Sequence, residues 1–232
     1  DATFDTSTLK VDSSNNRVGV GTATPLKPLH IQGSSEADVF LRRTDLTNKA
    51  WLLNVQSSTG DLNIKSRNDD ASASTTSMVI AHDGYVTKPL QPAFSVHKNA
   101  TDQNNFATSE TTVNWTHERF DNNADFDLGN NRFVAPVTGK YFLQVNIRLE
   151  NIDTAAAYIQ VNLETSNLIY RFILDPDYFD SDSVYYSMGF PVLADMDASD
   201  TAFISFTQSG GTAQTDIDGN PNYTWFSGNL VC

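Results

Sequence analysis

From Leu143 to Glu150 apolar and polar side chains alternate without interruption. Val145, Ile147 and Leu149 fall on one parity, and Gln144, Asn146, Arg148 and Glu150 on the other. Successive side chains of a strand point to opposite faces, so this spacing predicts a β-strand with one dry and one wet face. No segment of the 232 residues repeats apolar positions every three to four places, so helices are not expected. The chain must build its core from sheets.

Strand-like segments run the whole length. In the first part they are short: Leu9 to Val11, Arg17 to Val20, Leu29 to Ile31, Val39 to Leu41, Trp51 to Val55, Leu62 to Ile64 and Met78 to Ile80. Clusters such as Asp12-Ser13-Ser14-Asn15-Asn16 and His82-Asp83-Gly84 punctuate them as turns. In the second part longer strands are expected over residues 93–98, 111–115, 132–135, 140–150, 156–164, 168–174, 184–193, 202–207 and 223–231.

Composition divides the chain near Lys88 and Pro89. Residues 1–88 carry 9 Lys and Arg against 10 Asp and Glu, with 4 aromatics. Residues 89–232 carry 6 against 18, with 21 aromatics. We therefore expect two domains, 1–88 and 89–232. Only the second has the large apolar side chains for a substantial core of its own. The short strands of the first cannot bury enough surface alone, so it is expected to be an obligate oligomeric module.

A formal net charge of −13 disfavours nucleic acid and anionic membrane surfaces as partners. No apolar run reaches the roughly 20 residues of a membrane span. The start, Asp1-Ala2-Thr3-Phe4-Asp5, shows no signal peptide and no methionine, which suggests a piece of something longer. The single cysteine, Cys232, allows no disulfide within one chain. Its four histidines, His30, His82, His97 and His117, stand at no metal or catalytic spacing, and no nucleophile, P-loop or zinc motif appears. An enzyme is not expected.

Two resemblances sharpen this. The string Phe133-Val134-Ala135-Pro136-Val137-Thr138-Gly139-Lys140-Tyr141 places two apolar anchors, Phe133 and Tyr141, on either side of a Pro-x-x-Gly turn, with glycine supplying tolerance of positive φ. With Phe94 in an opening strand, Phe120 and Phe126 upstream, and Trp225-Phe226-Ser227-Gly228 in a closing strand, it resembles the globular head of complement C1q, a relative of tumour necrosis factor. Leu143 stands where that family prefers Phe, and no collagen-like stalk precedes the head. The resemblance implies a two-sheet jelly roll marked by Phe94, Phe120, Phe126, Phe133, Pro136, Gly139, Tyr141, Phe226 and Gly228.

The string Asn15-Asn16-Arg17-Val18-Gly19-Val20-Gly21-Thr22, followed by Pro25 and Leu29-His30-Ile31, resembles a module of bacteriophage tail fibres and tailspikes. Val20 replaces the usual Ile. Both families form threefold assemblies. The resemblance thus implies a homotrimeric tail-fibre tip in the virion, attached to an upstream tail protein. Outside the cell it would bind a host-surface receptor, carbohydrate or protein. A non-viral C1q-like adhesin, a polysaccharide-degrading tailspike, and a head acting mainly as a trimer clamp stand as alternatives.

One polar cluster stands out as a binding candidate: Asp175, Asp177, Tyr178, Phe179, Asp180 and Asp182, between two apolar strands. Exposed aromatics among carboxylates suit sugar hydroxyls or a protein surface. Calcium on Asp175, Asp177, Asp180 and Asp182 is the lesser reading, because the cluster lacks the invariant glycine of an EF-hand. No other cofactor is expected.

Overall fold

The computed structural model describes residues 2–4, 8–104 and 109–232. It is all-β: among the described residues no α-helix forms, and no helix is long and apolar enough to cross a membrane. The chain forms two compact units, Asp1–Leu90 and Gln91–Cys232.

The N-terminal unit holds two sheets. The first contains β1 (Ala2–Phe4), β2 (Leu9–Asp12), β3 (Arg17–Val20) and β4 (Leu29–Ile31), in that order. β2 and β3 form a hairpin whose turn is fixed by Asp12, which accepts from the Asn15 backbone N–H at 3.2 Å, and by Asn16 at φ 54°. β4 then lies parallel to β3. The second sheet is an antiparallel meander of β5 (Ala37–Arg42), β6 (Ala50–Val55), β7 (Leu62–Arg67), β8 (Ser74–Ile80) and β9 (Val86–Thr87). Its two faces differ. Asn54 and Asn63 are buried on one, closed over by hydrogen bonds to Asp38, Gln56 and Lys65. On the other face Trp51, Leu53 and Val55 remain exposed.

The C-terminal unit is a two-sheet jelly roll. Its strands are β10 (Ala93–His97), β11 (Thr111–Thr112), β12 (His117–Asn122), β13 (Phe126–Asp127), β14 (Arg132–Val134), β15 (Gly139–Ile152), β16 (Ala156–Thr165), β17 (Ile169–Leu174), β18 (Ser183–Met196), β19 (Thr201–Gly210), β20 (Asp216–Ile217) and β21 (Trp225–Leu230). One sheet runs β12-β10-β21-β15-β18, with β20 also on β15. The other runs β13-β14-β19-β16-β17, with β11 on β19. Most connections cross between sheets, so no strand pair closes the sandwich alone.

The core lies between the sheets. Tyr141, Leu143, Val145, Ile147 and Leu149 of β15 are all fully buried and face Ile159, Val161 and Leu163 of β16 with Ile204 and Phe206 of β19. Phe94 is the aromatic hub. It stacks on Phe133 at 4.7 Å and meets Phe126 at 5.1 Å, both from the opposite sheet, and takes the edge of Phe226 at 5.0 Å. The buried Tyr141 hydroxyl donates to the Val137 carbonyl at 2.7 Å, so its polar tip is satisfied.

Two expectations need correction. Phe120 is not a core anchor: it sits on edge strand β12 and is half exposed. The turn from Pro136 to Gly139 does join the strands of Phe133 and Tyr141, and it carries the chain across the sandwich, because β14 and β15 belong to different sheets. Gly139, however, does not sit at positive φ. It is there for room, since a Cβ would meet the Leu230 side chain at 2.6 Å. Gly228 is similar, with the Leu143 side chain 2.5 Å from where a Cβ would stand.

Candidate functional site

The acidic-aromatic loop joins β17 to β18, and strand register places it in the head. Tyr141 of β15 pairs with Leu230, beside the entry of the chain, where the Leu230 N–H donates to the Pro92 carbonyl at 3.0 Å. At the other end of β15, Ile152 pairs with Ser183. A strand advances about 3.3 Å per residue, so the loop stands on the order of 35 Å from the entry, at the opposite end of the head.

Its shape comes from its own residues. Asp175 caps a single 3-10 turn, Pro176–Tyr178, by accepting from the Asp177 N–H at 3.1 Å, and Pro176 takes the first helical position with its ring buried. The turn projects Tyr178 into solvent at 91% exposure. Phe179 turns the other way. Its ring meets Tyr186 of β18 edge-on at 5.6 Å and packs against the core, so it anchors the loop rather than offering a free contact. Asp177 and Asp180 are exposed.

Asp182 is committed elsewhere. One oxygen accepts from the Thr154 N–H at 3.0 Å and its hydroxyl at 2.6 Å, and the other from the Gln214 amide at 2.7 Å. These bonds, led by the Thr154 hydroxyl, hold its carboxyl below the usual carboxylate range. The structure does not bring the four aspartates of the calcium reading together. Asp175 turns back on its own helix and Asp182 reaches across to Thr154. Among the described residues no group of three or more acidic, histidine or cysteine side chains is placed to hold a metal.

Two surface clefts flank the loop. Its first half, with Asp175, Tyr178 and Phe179, lines a cleft of about 400 Å³ completed by Ile173, Leu174 and Tyr186. Its last residues line a polar one of about 350 Å³, with Asp182, Ser183 and Val184 against Asn151, Gln214 and Asp216. Ile173, Leu174, Tyr186, Asn151, Val184 and Gln214 were missed by sequence reasoning, because they read as ordinary strand and turn positions.

Outside this pair of clefts, two further groupings emerge only in the fold. The Arg148 guanidinium lies 4.6 Å from the Tyr185 ring and 3.8 Å from that of Tyr223, and pairs with Asp218. Burial, then the neighbouring Asp218, raises the Glu150 carboxyl beside it. His97 and His117, distant in sequence, stack at 5.8 Å across β10 and β12. Burial lowers the His97 imidazole.

No protein-family model matches the sequence, and no curated protein matches it. Solved structures do match in shape. The globular domain of zebrafish complement 1qA protein is 18% identical, with 61% of this chain and 98% of that one covered, at a TM-score of 0.42. Murine APRIL, crystallised at pH 8.0, is 12% identical over 61% of this chain and 99% of its own, at a TM-score of 0.44. The two-sheet jelly roll itself is established by the strand order and register above.

Proposed function

We propose that this chain is the receptor-binding tip of a bacteriophage tail fibre, a homotrimer in the virion that acts outside the cell. The head contacts carbohydrate or protein on the host surface, and the N-terminal unit joins it to an upstream tail protein. The observation that carries this reading is the placement of Tyr178. A large aromatic is held out in solvent by a capped turn, beside a cleft, at the end of the head farthest from the chain's entry. Recognition residues usually sit on such loops over a rigid scaffold. Three linked copies would turn one weak contact into long residence.

The test is adsorption to host cells by Tyr178→Ala. Lost adsorption with unchanged oligomer mass and melting temperature supports the reading. Undiminished adsorption overturns this site, and leaves the head as a trimer clamp or moves recognition to another loop.

A further inference from the structure

One face of the β5–β8 sheet is apolar yet open to water. Register puts Leu41, Trp51, Leu53, Val55, Leu62 and Ile64 on one face, and that face continues onto Met78 and Ile80 of β8. Leu41 and Trp51 are 56% and 47% exposed, and Leu53, Val55 and Leu62 are also exposed. The opposite face buries Ala50 and Leu52 beside the amides of Asn54 and Asn63, and also carries Phe40 with Asp38, Arg42, Lys65 and Arg67. A contiguous apolar patch of this kind on a soluble protein marks a contact surface.

We propose that this face is where the N-terminal units of separate copies of this chain pack on one another, an inference resting on the homotrimeric reading above. Size selects the occupant. Four strands about 4.8 Å apart, each about six residues long, give a face on the order of 400 Å². A stable complex between free proteins buries about 800 Å² on each partner. A foreign protein from solution would not be held by this face alone. A copy already tethered through the heads meets it at an effective concentration near millimolar, where a small dry contact suffices. Charge agrees: residues 1–88 are almost balanced, so like units approach without the repulsion that the acidic second half would impose. In a threefold assembly the same face of each copy turns toward the common axis, so three such faces enclose one shared apolar centre.

The experiment uses the full chain with the exposed Cys232 replaced by Ser, carrying either Leu53→Cys or Val55→Cys on the apolar face, or Ser72→Cys on an exposed turn. Light scattering and maleimide labelling are read on the same samples. Packing of copies slows labelling at positions 53 and 55 at least tenfold relative to position 72, and a short bifunctional crosslinker joins chains only through the first two. An oligomer that labels as fast at 53 and 55 as at 72 overturns the inference and leaves the trimer standing. A monomer overturns both.

Discussion

Gly139 and Cys232 approach so closely that a Cβ on residue 139 would stand 2.5 Å from the cysteine carbonyl oxygen. That oxygen already accepts the Lys140 N–H at 2.7 Å, so it cannot retreat without breaking a bond that holds the last segment against β15. Gly139→Ala should therefore lower the melting temperature of the head by several degrees, at a cost of about 1–3 kcal/mol. Because the conflict is with backbone rather than φ, alanine should do most of the harm that valine does. A melt of the alanine variant matching the parent would show that the close approach does not matter.

The aromatic hub sets a second expectation. Phe133→Ala opens a cavity between the sheets and should cost about 3–5 kcal/mol in denaturant unfolding. Tyr141→Phe removes only the hydroxyl bond to Val137, a loss of about 1 kcal/mol. Phe120→Ala, on the half-exposed edge, should stay near 0.5 kcal/mol or below. Equal losses at 120 and 133 would contradict the placement of the core.

Lys98 predicts a rise of stability in mild alkali. Its side chain is buried, with the ammonium held by the Asn114 carbonyl at 3.2 Å and by Gln103 at 3.4 Å. Burial lowers its pKa to about 8, with Asp102 opposing. Above pH 8 the unfolded chain keeps a proton that the folded chain has released, so stability increases with pH toward the ordinary lysine range. The slope for one proton is at most about 1.4 kcal/mol per pH unit. Urea titrations between pH 8 and 9.5 read it, below the onset of tyrosine ionisation. Lys98→Met should flatten that part of the profile, and an unaltered slope would assign it to another group.

Asp153 predicts the acid side. Burial alone would raise its carboxyl, but donors from Thr212, the Ala155 N–H and the Gln208 amide outweigh that and lower it. A depressed folded pKa gives stability that is present above the unfolded value and is lost as pH falls through the folded one. Asp153→Asn should destabilise the head at neutral pH and shrink the loss below about pH 4. An acid melting profile identical to the parent's would remove Asp153 from that role.

Legibility followed the physics of each element. Strands such as β15 and β16 announce themselves because one face is dry and the period is two. The strands β12, β13 and β20 did not: β12 is a polar edge, and the other two have two residues each. Strand β11 stops at Thr112, short of the expected 115, although the Val113 N–H still donates to Ile204 at 2.9 Å. In the loop, Tyr178 was readable as an aromatic among carboxylates. Phe179 was not separable from it, because adjacent residues of one turn face opposite ways and its partner Tyr186 arrives from the next strand. Residue 139 was recognised as needing glycine, but the cause lies at residue 232, a contact that no local spacing encodes.

The pairing of β10 with β21 makes the first and last strands of the head neighbours, with Ala93 opposite Asn229 and His97 opposite Trp225. The strands that open and close this unit are thus held by one ladder of backbone bonds, which continues from β21 onto β15. Neither can fray without loosening the other, so the edges of the sequence segment are as firmly fixed as its middle.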